Sequence, residues 1–128
     1  MGQQYLIDSN AVIDFLSGKF HGKGHDFMDG VINDIPVVSI ITKIEVLGFQ
    51  SSSEDQILLD TFFEDAIIFE LSNAVADQTI KIRKINKIKL PDAIIAATAL
   101  VHGLSLITRN THDFAGINDL VIVNPHEI

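Results

Sequence analysis

Short apolar runs closed by clusters of small polar residues alternate along this chain with stretches in which apolar positions recur every three or four residues. The short runs mark strands and the 3.6-residue recurrence marks helices. Tyr5-Leu6-Ile7 reads as a first strand ending at Asp8-Ser9-Asn10, a cluster that stops the strand and offers oxygens to cap a helix over Ala11 to about Leu16. Gly18 to Gly24 reads as a loop, His25 to Asn33 as a helix, and Pro36-Val37-Val38-Ser39 as a second strand. Ile41, Ile44, Leu47 and Gly48 have helical spacing, which puts Glu45 on a helix just beyond that strand. Ser51-Ser52-Ser53-Glu54 is a break and cap before an amphipathic helix from Asp55 to about Glu64, and Ala66 to Leu71 makes a third strand. Ser72 or Asn73 caps a longer helix through about Asn86, with Ile82, Ile85 and Ile88 turned inward. Leu90-Pro91-Asp92 opens the next helix, which carries Ala93 to Val101, because proline suits a first turn whose N–H groups lack partners anyway. Gly103 closes it, and Leu104 to Thr108 and Leu120 to Val123 supply the fourth and fifth strands. This alternation predicts an α/β fold with a mainly parallel sheet of about five strands flanked by helices.

Composition narrows the class. A chain of 128 residues suits one domain, taken to span residues 1–128. A hydrophobic fraction of 47% and a mean hydropathy of +0.30 fit parallel strands buried on both faces. The longest membrane candidate, Ala93 to Val101, is interrupted by Thr98 and falls short of the roughly 20 apolar residues a spanning helix needs. The first residues already read as a strand rather than a leader, so the expected location is cytoplasmic. With no cysteine, disulfides, thiolate nucleophiles and sulfur-based zinc sites are excluded, leaving carboxylates and five histidines for any metal chemistry.

The formal charge of −8 argues against a protein that grips nucleic acid over a broad basic surface. The cations are nevertheless uneven. Lys81, Arg83, Lys84, Lys87 and Lys89 place five of the nine positive charges in one stretch just before Pro91-Asp92. That stretch reads either as the solvated face of a helix or as a local surface that steers phosphates, and Arg109 is a further candidate for the second role.

Four acids carry the chemistry. In open parallel sheets ligands sit beyond the C-terminal strand ends, near the point where strand order reverses. Asp8 ends the first strand, Glu45 follows the second, Asp92 opens a helix, and Asp113 follows the fourth strand through Thr108-Arg109-Asn110. Right-handed crossovers gather such ends on one rim. Crowded carboxylates repel one another, and a divalent cation offsets the repulsion. An oxygen-only donor set favours Mg²⁺, or Mn²⁺, over zinc, and such an ion can activate water for in-line attack on a phosphodiester.

Tyr5-Leu6-Ile7-Asp8-Ser9-Asn10, Ser39-Ile40-Ile41-Thr42-Lys43-Ile44-Glu45, Leu90-Pro91-Asp92-Ala93-Ile94-Ile95-Ala96-Ala97-Thr98-Ala99 and Thr108-Arg109-Asn110-Thr111-His112-Asp113-Phe114 resemble, in order, the motifs of PIN-domain nucleases, and look most like the VapC toxins. Any one of these motifs is weakly specific; the ordered set is not. The resemblance implies a PIN-like three-layer fold, Mg²⁺ or Mn²⁺ dependence, endonucleolytic cleavage of RNA, a homodimer, and inhibition by a co-expressed antitoxin. It also implies that Asp8, Glu45, Asp92 and Asp113 form the catalytic acidic quartet, with Asp8 and Asp92 the first choices as metal ligands. Asn10, Thr108 and Asn110 match polar positions beside the quartet, with Asn10 placed to order water or phosphate.

Each acid has a structural alternative. Thr42-x-x-Glu45 fits a capping box, Asp8 can serve only as a helix cap, Asp92 can serve as a first-turn acid facing the helix dipole, and Asp113 as a turn residue. His112 and the other histidines read as surface residues. Among rival functions, a phospho-receiver domain would need an aspartate after the third strand and a lysine after the fifth, where this chain has Glu70-Leu71-Ser72 and Val123-Asn124-Pro125. Another Mg²⁺-dependent phosphoryl-transfer domain, or a non-catalytic PIN-like module that binds RNA or a partner, stays open.

Overall fold

The computed structural model describes residues 4–128 and leaves the Gly2-Gln3 lead outside the described residues. In chain order the elements are β1 (Tyr5–Ile7), α1 (Ser9–Leu16), α2 (Gly22–Asn33), β2 (Val37–Ser39), α3 (Ile40–Leu47), α4 (Ser53–Asp65), β3 (Ile67–Phe69), α5 (Asn73–Ile85), α6 (Leu90–His102), β4 (Ser105–Ile107), α7 (Thr111–Phe114), β5 (Ile122–Val123) and a 3₁₀ turn (Pro125–Glu127). The fold is α/β, as the alternation predicts, and every strand pairing is parallel. β1 pairs with β4, and β4 with β5, in one sheet; β2 pairs with β3 in a second. β1 also lies against β2. The strands thus run in the order β3-β2-β1-β4-β5, with regular pairing interrupted between β2 and β1. The chain steps outward from β1 through β2 to β3 and then returns to β4 on the other side of β1, so the order reverses at the β1/β4 boundary.

The two faces of these strands explain the layering. Neighbouring strand residues point to opposite sides, and Leu6, Val37 and Leu106 enter one core with Val75 and Ile82 of α5, Ala93 and Ile95 of α6, and Phe114. Ile7, Val38 and Ile107 enter the other with Ala11 and Val12 of α1, Met28 of α2, and Leu59, Phe62 and Phe63 of α4. The result is three layers, with strands apolar on both faces, which accounts for the high hydropathy.

Local signals set most of the boundaries. Asp8, Ser39, Ser52 and Ser72 each cap a helix through a side-chain oxygen. Gly103 ends α6 at φ +67, a left-handed conformation in which a Cβ is strained, and its N–H closes on Ala99 and Leu100. Two differences from the sequence reading have identifiable causes. Helix α2 begins at Gly22, inside the expected loop, and has no side-chain cap. Its start is supported instead by Gly24, where a methyl group would overlap the Pro125 carbonyl of the 3₁₀ turn. Ile85, expected to face inward, is 79% exposed. The buried stripe of α5 is Val75, Thr79 and Ile82, whose spacing of four and three continues to Asn86 rather than Ile85. α7 and the 3₁₀ turn are too short to leave a periodic signal. No helix of the described residues is long and apolar enough to cross a membrane.

Candidate functional site

Asp8 stands at the C-terminal end of β1, beside the point where strand order reverses, and its N–H donates to the Ile107 carbonyl of β4 at 2.9 Å. The residue is 4% exposed. Its Oδ1 accepts from the Ser9 N–H at 2.8 Å; its Oδ2 accepts from the Thr108 hydroxyl at 2.8 Å and from Asn10 Nδ2 at 3.0 Å. Burial pushes the Asp8 carboxyl up to about 6, and the charges of Asp92 and Glu45 add to the rise. The hydrogen bonds from Thr108 and from the Ser9 backbone pull the other way.

Thr108, fully buried at the end of β4, accepts from Asn10 Nδ2 and from the Asn110 N–H, both at 3.1 Å, while its own proton goes to Asp8. Asn10 completes the knot, its Oδ1 accepting from the Arg109 N–H at 3.1 Å. The Asn10 carboxamide is thus engaged within the protein, bracing Asp8 against the 108–110 loop. Asn110 contributes its backbone N–H.

Glu45 comes from the middle of α3. The capping-box alternative does not hold, because Ser39 caps α3 and Thr42 is a buried helix residue. Glu45 Oε1 instead accepts from the Ser9 hydroxyl at 2.7 Å, and Ser9 Oγ lies 3.2 Å from Thr42 Oγ1. Ser9, the neighbour of Asp8, thus joins the start of α1 to Glu45 on α3. Asp92 lies in the first turn of α6, half-buried. Burial raises its carboxyl pKa, the charges of Asp113 and Glu45 raise it further, and Lys89 opposes them. Asp113 sits on the short helix α7 rather than in a plain loop. The structure therefore gathers all four acids within electrostatic reach: Asp8 feels Asp92 and Glu45, and Asp92 feels Asp113 and Glu45.

The gathering is open rather than cage-like. Among the described residues no three acids or histidines stand close enough to enclose one ion by themselves. The described ion pairs both involve Asp14, so none of the four acids has a lysine or arginine bound to it. Such a set fits Mg²⁺ better than a structural cation, since Mg²⁺ typically uses one or two carboxylates and keeps several waters.

Two clefts open beside the acids. One, of about 260 Å³, is lined by Lys87, Ile88, Lys89, Asp92, His112 and Asp113. His112, read from sequence as a surface residue, is exposed but belongs to this cleft. The other, of about 340 Å³, includes Ser9, Asn10, Lys19, Glu45 and Arg109 in its wall. A third hollow of about 560 Å³ between the end of α5 and the start of α6 is lined by Arg83, Lys84 and Lys87, so Lys87 joins the basic stretch to the acidic cleft. Lys81 is exposed on α5 and lines none of these clefts.

Sequence reasoning missed Ser9, Thr42 and Asp14. Ser9 sits inside the Asp8-Ser9-Asn10 cluster, and Asp14 is an acid within the apolar run Ala11-Val12-Ile13-Asp14-Phe15-Leu16, which was the available signal. His126, grouped with the surface histidines, has its Nε2 2.9 Å from Asp14 Oδ2.

A three-layer parallel fold with an acidic rim at its switch point defines a class, and a profile of the PIN domain matches residues 5–120. The chain belongs to the PIN domain family. Among solved structures it is similar to a toxin–antitoxin complex from Klebsiella pneumoniae, at 34% identity and a TM-score of 0.76 over 98% of this chain and 100% of that one. It is also similar to FitAcB from Neisseria gonorrhoeae, at 25% identity and 0.76 over 98% and 100%, and to DNA-bound VapBC from Salmonella typhimurium, at 21% and 0.80 over 97% and 99%. The resemblance to PIN-domain proteins is borne out by the family match, and the 34% identical neighbour is a toxin–antitoxin complex. The comparison with curated proteins gave no match.

Proposed function

We propose that this chain, read as a single PIN domain over residues 1–128, is a Mg²⁺-dependent endoribonuclease and the toxin of a VapBC-type pair in the cytoplasm. The observation that carries the reading is the buried Asp8, held by three protein hydrogen bonds yet paired with no cation among the described residues, within reach of the charges of Asp92 and Glu45, while Asp92 in turn feels Asp113. Asp8 and Asp92 are the foremost ligands for Mg²⁺ or Mn²⁺, with Glu45 and Asp113 completing the acidic set. When bound, the ion supplies positive charge to the phosphodiester and lowers the pKa of water for in-line attack.

The chain's own residues hold this arrangement. Thr108 and Asn10 keep the Asp8 carboxylate oriented, and Ser9 ties Glu45 to the same strand end. Lys87 and Lys89 line the cleft with Asp92 and Asp113, where they attract RNA phosphates; Arg83 and Lys84 extend the attraction along α5, and Lys81 acts at longer range. Arg109 serves the cleft beside Glu45. Because hydrolysis by activated water does not use the 2′-OH, the RNA preference rests on family resemblance rather than on the chemistry.

The cognate antitoxin is proposed to supply an Arg or Lys to the acidic pocket and an apolar segment to a groove. A groove of about 320 Å³ lined by Ile13, Leu16, Val46, Phe49 and Leu58 suits that segment, and Phe49 there is 75% exposed. Antitoxin-peptide affinity unaffected by neutralising the acids would count against the charged contact. A homodimer is the expected assembly, measurable by light scattering. The decisive assay incubates purified protein and an Asp8→Asn variant with structured RNAs in Mg²⁺, Mn²⁺ or EDTA. Cleavage by the unaltered protein with Mg²⁺ or Mn²⁺ alone is expected, and equal cleavage in all conditions refutes the reading.

A further inference from the structure

Asp14 is a second buried carboxylate, outside the acidic quartet. It lies on α1 and is 1% exposed, yet it holds two groups from distant parts of the chain. Both carboxylate oxygens accept from Arg109 Nη1, at 3.0 and 3.1 Å, and Oδ2 also meets His126 Nε2 at 2.9 Å. Its carbonyl accepts from the Lys19 N–H at 2.9 Å. Burying a carboxylate is costly unless charge and hydrogen bonds compensate it, and here the compensation reaches residues that serve the site.

The Arg109 side chain is half exposed. Only Nη1 is engaged among the described residues, so Nε and Nη2 keep their hydrogens free along an edge of a planar fork suited to phosphate. Arg109, Lys19, Asp14, Glu45, Ser9 and Asn10 line the same cleft of about 340 Å³. The Arg109 backbone N–H is held by Asn10, which also bonds Asp8 and Thr108. His126 belongs to the 3₁₀ turn, which Phe20 and Gly24 also hold against the body of the protein.

We propose that Asp14 is a positioning residue of the nuclease site, orienting Arg109 so that the free edge of its guanidinium receives an RNA phosphate in the cleft beside Glu45, while His126 anchors the C-terminal turn to the same carboxylate. The proposal rests on the ribonuclease reading. It separates two jobs: the quartet acts at the bond that is cut, and the Asp14–Arg109 pair holds the strand leading to it.

The test is a double-mutant cycle on RNA cleavage in Mg²⁺ with Asp14→Asn, Arg109→Gln and the combined variant, together with amide hydrogen exchange on the metal-free proteins. Each single variant is expected to raise KM about tenfold with a smaller change in kcat, the size expected for losing a charge-assisted hydrogen bond. The combined variant should match either single one, because the two residues act as a unit. Exchange should quicken at Arg109 and Asn110 and over residues 124–127 in Asp14→Asn, but only over 124–127 in His126→Ala. Additive losses in the cycle, or an Asp14→Asn protein with lowered melting temperature and unchanged KM, would overturn the proposal. If Asp14→Asn does not fold, Arg109→Gln decides alone, an unchanged KM refuting it. Should the unaltered protein cleave no RNA with either metal, the nuclease reading fails and the phosphate role falls with it; the exchange comparison still decides whether Asp14 holds the loop and the turn.

Discussion

Replacing Asp8 with asparagine in the metal-free protein isolates what a buried acid costs this fold. The folded chain raises the Asp8 carboxyl from 3.8 to about 6, chiefly by burial. A group that binds its proton more tightly when folded contributes stability that is fully present below the unfolded value and is lost as pH rises through the folded one. The window here runs from about pH 4 to about pH 6. The difference between the two values corresponds to about 3 kcal/mol, and with Asp8 only 4% exposed little of it is screened by solvent. Asparagine removes the charge and keeps Oδ1 as the acceptor for the Ser9 N–H, but its amide nitrogen cannot accept from Thr108 or Asn10 Nδ2, so the lost hydrogen bonds offset part of the gain. In EDTA at pH 7 the Asp8→Asn protein should therefore be the more stable by up to about 3 kcal/mol, a melting shift on the order of 10 °C for a domain of this size. That advantage should be gone below about pH 4. Thermal and urea unfolding from pH 4 to pH 8 measures both curves, and their difference cancels the other titrating groups. A difference that stays flat across the window would falsify the burial argument. Adding Mg²⁺ at pH 7 should then raise the melting temperature of the unaltered protein and leave the variant nearly unmoved, because an ion stabilises only the state that binds it.

Three further outcomes follow from the same contacts. Thr108→Val keeps the volume but removes the hydroxyl that Asp8, Asn10 and Asn110 share, so stability at pH 7 should fall by about 2 kcal/mol. The Asp8 carboxyl should rise further, read by carboxyl-carbon NMR titration, and a lowered value would show that the hydroxyl does not support the charged form. Gly24→Ala drives a methyl into the Pro125 carbonyl and should cost about 1–3 kcal/mol in urea unfolding; a neutral result would mean that the C-terminal turn does not press on α2. Lys87→Gln should weaken RNA binding by an Asp92→Asn background protein and reduce the salt dependence of the affinity by about one phosphate contact, and an unchanged slope would remove Lys87 from the interface.

How far the site was legible in sequence depended on the range of the interactions concerned. Asp8 could be placed at a strand end because the apolar run Tyr5-Leu6-Ile7 stops there, and Asp92 at a helix start because Leu90-Pro91 precedes it. The family motifs then pointed to Glu45 and Asp113 without saying what either touches. Glu45 shows the limit most clearly: Thr42-x-x-Glu45 satisfies a local capping pattern, yet the glutamate is held by Ser9 from 36 residues earlier. Ile85 failed for the opposite reason, since a local spacing of three from Ile82 was read as inward when the buried stripe continues through Asn86.

The sequence by itself determined the alternation of elements, the helix caps at Asp8, Ser52 and Ser72, and the parallel α/β class, because each follows from contacts within a few residues or from a hydrophobic period. The tertiary structure alone decided that Thr108 hydrogen-bonds Asp8 from 100 residues away and that Asp14 grips both Arg109 and His126. It also decided that Asp8 is buried enough to hold its proton up to about pH 6. Burial and long-range hydrogen bonds depend on which strands become neighbours, and no local pattern of apolar and polar residues encodes that choice.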